Sequence, residues 1–178
     1  MPSPLPTGSS GATDPLTGTL VADACLASGG LTLPTGYEPG SSLLQQDDGS
    51  TGNAMFVLPV KDAPDWVSMV ACRYTWQPDG TVSVVATWGG SLPAAIDTPA
   101  VIDEILASAP GAPGQLITGR ATGGVKRVVA EFADGSSAEA ARSGGYWMVV
   151  SSTDAALKRV TAYDADGKGI WSGTGPNP

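Results

Sequence analysis

The chain has 178 residues, 42 % of them hydrophobic, with a formal charge of −8 and no histidine. That length allows a real core in one or two compact units, while the acidic balance removes attraction to phosphate backbones and anionic lipid, so no nucleic-acid partner is expected. Without histidine the usual proton shuttle near neutral pH and the commonest metal ligand are both missing, and no catalytic residue, metal ligand or cofactor is assigned.

Residues 1–13 are rich in Pro, Ser, Gly and Thr and cannot bury enough area to offset ordering entropy, so they read as a flexible tether. They carry neither a basic segment nor an apolar run, so no signal peptide or membrane span is read there. Such a start fits a chain that begins just outside a membrane helix, and equally the disordered leader of a cytosolic protein. Asp14 and Pro15 suit an N-cap and a first helical turn. Leu20, Val21, Ala24, Cys25 and Ser28 then recur at helical spacing up to Gly29 and Gly30, which predicts a first short helix with an apolar stripe.

Residues 31–40 hold two prolines and two glycines and read as irregular chain. A short strand is expected at 41–46, a turn at 47–53 and an apolar strand at 54–60, where Pro59 marks a strand end or a sheet edge. The segment from Val67 to Trp88 organises the rest as a β-hairpin. Val70, Cys72, Tyr74 and Trp76 share one face of its first strand, with Arg73 and Thr75 opposite. Gln77, Pro78, Asp79 and Gly80 make the turn, and Val82, Val84, Ala86 and Trp88 alternate back along the second strand. At 99–109 Val101, Ile102, Ile105 and Leu106 lie on one side of a predicted second helix, and Asp103 and Glu104 form its wet side.

Two Pro-Gly pairs at 109–115 mark a boundary. Beyond it strands are expected at 116–122, 125–132, 137–141, 145–151 and 159–164, with a short piece at 169–172, joined by turns rich in Asp, Gly and Ser. The fold class is therefore α+β: an antiparallel sheet with two short helices (14–109), a linker (110–115), a small all-β sandwich- or barrel-like unit (116–173) and a flexible tail (174–178).

Cys25 and Cys72 are the only cysteines, one on the packed side of the first helix and one on the core face of the hairpin. They are either two buried thiols packing as small hydrophobes or a disulfide. The disulfide is favoured, would stabilise the fold by about 4 kcal/mol through chain entropy, and implies an oxidising compartment. Asp164, Asp166 and Gly167 open like a calcium loop but lack its closing glutamate, and read as a hairpin turn. Trp66, Trp147 and Trp171 are candidate stacking platforms for sugar rings, whereas Trp76 and Trp88 alternate with core residues. For catalysis, a serine nucleophile would have only Lys61, Lys126, Lys158 or Lys168 as base. The acids Glu38, Glu104, Glu131 and Glu139 form no pattern that distinguishes a glycosidase pair.

The small-Asp-Gly turn at Ala133 to Gly135, the aromatic pair Tyr146 and Trp147, and the closing RVTAYDADGK at Arg159 to Lys168 resemble the extracytoplasmic regions of actinobacterial single-span membrane proteins, among them anti-sigma-factor-like and uncharacterised envelope proteins. ACLA at Ala24 to Ala27, with a partner cysteine in a later strand, here Cys72, belongs to the same resemblance. It implies a non-catalytic sensory or partner-binding domain at the cell surface, anchored through an upstream membrane helix, with a protein or cell-wall ligand. A carbohydrate- or cell-wall-binding module and a structural envelope or virion component are the alternatives.

Overall fold

The computed structural model describes residues 15–29, 44–95, 102–107 and 114–173. Sequence-neighbouring strands pair throughout the first half: β1 (Leu44–Asp47), β2 (Thr51–Val60), β3 (Ala63–Trp76) and β4 (Val82–Pro93) form a four-stranded antiparallel sheet in that order. The turn between β3 and β4 is closed by Gln77 N–H to Thr81 O and Gly80 N–H to Gln77 O, both 2.9 Å. Gly80 there takes φ 81°, a conformation open to glycine at little cost. β2 pairs with β1 only as far as Met55, so Pro59 falls where β2 has β3 as its one described neighbour, the position in which a missing N–H is tolerated.

One face of this first sheet is covered by α1 (Pro15–Ser28), whose Val21, Ala22, Cys25 and Leu26 pack on Ala54, Phe56, Val70, Cys72 and Tyr74. The opposite face is also buried. Met55, Met69, Ala71 and Leu92 meet Leu116 and Met148, which belong to β6 (Leu116–Ala121) and β10 (Tyr146–Val150) of a second sheet. That sheet has the order β5 (Ile102–Ala107), β6, β10, β9 (Ala141–Ser143). Its far side contributes Ile117, Trp147 and Val149 to a core shared with Val128, Ala130, Phe132, Val160 and Ala162. These last come from β7 (Arg127–Phe132) and β11 (Leu157–Tyr163) of a third sheet, ordered β12 (Gly169–Gly173), β11, β7, β8 (Ser137–Glu139). The result is a stack of one helix and three sheets. β8 and β9 run on through Ala140, whose N–H still donates to Val128 O at 2.9 Å, so one stretch of chain turns the corner between the third and second sheets.

The expected α+β class with two helices is corrected. Among the described residues the chain is mostly β, with one helix and three antiparallel sheets, and the described part of the predicted second helix is strand β5, paired with β6. The register explains the misreading. Ile102 sits opposite Ala121 and Ile105 opposite Gly119, with the pairing slipping between Ile102 and Glu104. An i, i+3 spacing on β5 thus matches an i, i+2 spacing on β6, and a β-bulge imitates a helical period. β5 precedes the Pro-Gly segment in sequence yet shares a sheet with strands that follow it. Most of that segment, the tether at 1–13, the irregular stretch at 31–40 and the tail at 174–178 lie outside the described residues.

A second correction concerns β4. Tyr74 pairs with Val84 but Arg73 with Ala86, so Val85 is an extra residue that flips every later side chain to the other face. Trp76 stays on the helix side with Val82 and Val84, whereas Trp88 packs toward the second sheet. Arg73, expected on the face opposite the core face, is buried between the sheets. Its Nε donates to Asn53 Oδ1 at 3.0 Å and Nη1 to Gly114 O at 3.1 Å, while Gly114 N–H donates to Asp154 Oδ1 at 2.7 Å. Burial lowers the pKa of the Arg73 guanidinium and the charge of Asp154 opposes that shift. Arg120, also buried, donates to Pro93 O. Two buried cations therefore tie the first sheet to the second half.

Four hairpin or loop turns are built alike, on an aspartate that accepts from the backbone two or three residues on. At Asp134 the carboxylate takes Ser136 Oγ–H at 2.6 Å, Thr153 Oγ1–H at 2.6 Å and Ser136 N–H at 2.9 Å, and these bonds draw its pKa from 3.8 down to about 2. A depressed carboxylate adds stability that is complete above its unfolded value and is lost as pH falls through the folded one. The thermal midpoint should therefore decline between about pH 4 and pH 2, and Asp134→Asn should flatten that decline in a calorimetric pH series.

Candidate functional site

α1 covers only part of the face it packs on. The helix ends at Ser28, Gly29 N–H donating to Cys25 O at 3.2 Å, and Thr87 Oγ1 meets Ser28 Oγ at 3.2 Å at that end. Beyond it the β3–β4 hairpin continues, and a groove of ≈ 320 Å³ opens between the helix end and the strands. Ser68, Val70, Thr87, Gly89 and Ser91 line it; they share a face by strand alternation and by the pairs Ser68 with Ser91 and Val70 with Gly89. Ser68 and Ser91 stand with hydroxyl oxygens 3.3 Å apart.

The floor exists because of glycine. A side chain at Gly89 would run into the Met69 carbonyl, whereas at Gly90 it would meet nothing within 4 Å. A ligand on the groove side can therefore approach the backbone at Gly89, between the hydroxyls of Thr87 and Ser91. Trp66 lies one residue pair further along the same face, opposite Pro93, and is 45 % exposed. Hydroxyls, backbone amides and an indole surface can hold an uncharged polar ligand by hydrogen bonds and stacking. The lining carries no acid, base or thiol with which one of its serines could be activated as a nucleophile.

The three tryptophans singled out in the sequence are not brought together. Trp147 is fully buried in the core between the second and third sheets and offers no platform. Trp171 is half-buried on the edge strand β12, packed against that same core. Trp66 alone flanks the groove. Cys25 and Cys72 form a disulfide, with Cα atoms 5.9 Å apart and both residues buried. The hydroxyl rows were missed because Ser68, Thr87 and Ser91 become neighbours only once the bulge at Val85 sets the strand phase. The signal present in the sequence was Gly89-Gly90, a pair of glycines inside a strand.

A second polar cluster closes the opposite end of the same face. Asp47 Oδ2 accepts from Tyr74 Oη–H and from Trp76 Nε1–H, both at 2.7 Å, and Gln45 Nε2 donates to Tyr74 Oη at 2.8 Å. Burial first, and then the bond to Asp47, hold the Tyr74 phenol far above the ordinary tyrosine range. Tyr74 reaches Asp47 by lying across Gly52, where an added Cβ would occupy the phenol ring's space. Gly52→Ala should thus cost about 2 kcal/mol through a displaced ring and a broken bond, and return one tyrosine to ordinary titration in an ultraviolet pH titration.

Among the described residues no helix is long and apolar enough to cross a membrane, and no group of three or more acids and cysteines converges as a metal site. Asp164 instead accepts from Asp166 N–H at 3.0 Å and Lys168 N–H at 2.9 Å, closing the β11–β12 hairpin. No family model matches the chain, and no curated protein or solved structure matches it either.

Proposed function

We propose that the chain is a non-catalytic recognition domain of the cell envelope, working outside the cytoplasm, with the groove beside Trp66 as its recognition surface. The observation that carries this reading is the uncharged trough itself: paired hydroxyls over a glycine floor, flanked by an exposed indole. The Cys25–Cys72 bridge supports an oxidising setting, where such bonds persist. Attachment to a membrane through a segment outside this chain belongs to the same proposal, as does a protein or cell-wall ligand.

A cell-wall glycan is the second reading, and Trp66 favours it, because an indole beside hydroxyls suits the apolar face and the ring of hydroxyls of a sugar. The test is thermal denaturation of the oxidised protein with soluble cell-wall oligosaccharides and, separately, with envelope protein fractions. A ligand at a hundredfold its dissociation constant stabilises by about 2.7 kcal/mol. A rise in midpoint that disappears in Trp66→Ala and in a Ser68→Leu variant that fills the groove supports the site. A rise that survives both variants places recognition elsewhere and defeats the proposal.

A further inference from the structure

Among the described residues each of the three sheets is open, which leaves six edge strands: β1 and β4, β5 and β9, and β12 and β8. Exposed edges invite pairing with another chain, and proteins protect them with shortness, charge, proline or bulges. β1 has four residues and ends in Asp47; β8 and β9 have three each, with Glu139 and Arg142; β5 holds Asp103 and Glu104. β12 has five residues. β4 is different, with twelve residues and no charged side chain, in a chain whose formal charge is −8. Its protections, the bulge at Val85 and Pro93 at the end, bracket a clear run from Ala86 to Leu92 whose Gly89, Gly90 and Ser91 are exposed.

We infer that this run pairs antiparallel with the same run of a second copy, about a two-fold axis at Gly89, making a dimer with one continuous eight-stranded sheet. A self-paired edge must match its own reverse, as an isologous contact requires. Centred on Gly89, the run does: Ala86 lies opposite the other copy's Leu92, Thr87 opposite Ser91, and Trp88 opposite Gly90. The large ring thus faces the residue whose side-chain position is empty, and hydroxyl faces hydroxyl. Neutrality selects a second copy, since two molecules of charge −8 repel wherever acidic surfaces meet and least where a neutral strand meets its twin. Directly opposed residues share a sheet face, so the grooves of both copies fall on one side and adjoin across the axis. This inference stands independently of any ligand.

The test is sedimentation velocity of the oxidised protein from about 1 µM to about 1 mM. A species of twice the 17.8 kDa chain mass that Gly90→Glu weakens at least tenfold supports the dimer, because residue 90 has room for a side chain within one copy but not opposite Trp88 of another. Trp66→Ala should leave the dimer intact. In an independent arm, a Thr87→Cys copy mixed with a Ser91→Cys copy should form an intermolecular disulfide under mild oxidation, and a Trp66→Cys copy in place of either should not. A monomer throughout that range, or a dimer indifferent to Gly90→Glu that forms no 87–91 bridge, overturns the inference.

Discussion

Replacing Cys25 and Cys72 together by alanine should destabilise the protein by about 4 kcal/mol, because the bridge closes a loop whose ends are 47 residues apart and removes that loop's freedom from the unfolded chain. In a protein of this size the thermal midpoint should fall by roughly 8–16 °C. The loss should be concentrated in α1. That helix has no acid in its first turn and no base in its last, so neither end is favoured by the helix dipole, and Gly18 weakens its interior. Among the described residues it is held mainly by one apolar stripe, Val21, Ala22 and Leu26, with the Ser28–Thr87 hydroxyl contact and the sulfur tie beside it. Amide exchange should accelerate in residues 19–28 of the double variant well before it does in β2 and β3. A reductant added to the natural protein should reproduce the lowered midpoint, and a double variant within about 1 kcal/mol of it would show that packing alone retains the helix.

Local chemistry was legible where one residue decides one turn. Gly80, Asp79, Asp134 and the Asp164–Gly167 stretch put their hairpins where the sequence places them, since those turns need only a positive φ or a carboxylate that accepts from nearby amides. The covalent pair was legible too, because a helix period and a strand period each sent a cysteine inward. What failed was counting through irregular strands. Two bulges did the damage, one giving β5 a helical spacing and one exchanging the faces of β4 after Val85. Burial on both sides of the first sheet was not legible either. The residues pointing away from α1, Met69, Ala71 and Arg73, look half polar in sequence, and their cover, Leu116 and Met148, comes from far along the chain. The groove followed from these same long-range choices, so composition gave Trp66 as a candidate without showing the hydroxyls beside it.

Trp147→Ala should cost about 4 kcal/mol, the range for a buried aromatic cut back to a methyl, while Trp66→Ala should change stability by less than about 0.5 kcal/mol. Trp147 is completely buried beside Ile117 and Val149 of its own sheet and Val128, Phe132 and Val160 of the facing one. Its strand neighbour Gly119 brings no side chain to compete for that space. Deleting the ring leaves a void that rigid strands on both sides cannot close. Trp147→Phe separates volume from polarity. The indole Nε1–H is buried without an acceptor among the described residues, so phenylalanine loses some contact area and also removes an unsatisfied donor, and its cost should stay below about 1.5 kcal/mol. Urea unfolding measures all three variants, with amide exchange in β7 and β11 reporting whether the third sheet loosens first. Should Trp147→Ala instead leave stability intact and abolish ligand-induced stabilisation, the residue would belong to a binding surface, and the core between the second and third sheets would have to be redrawn around it.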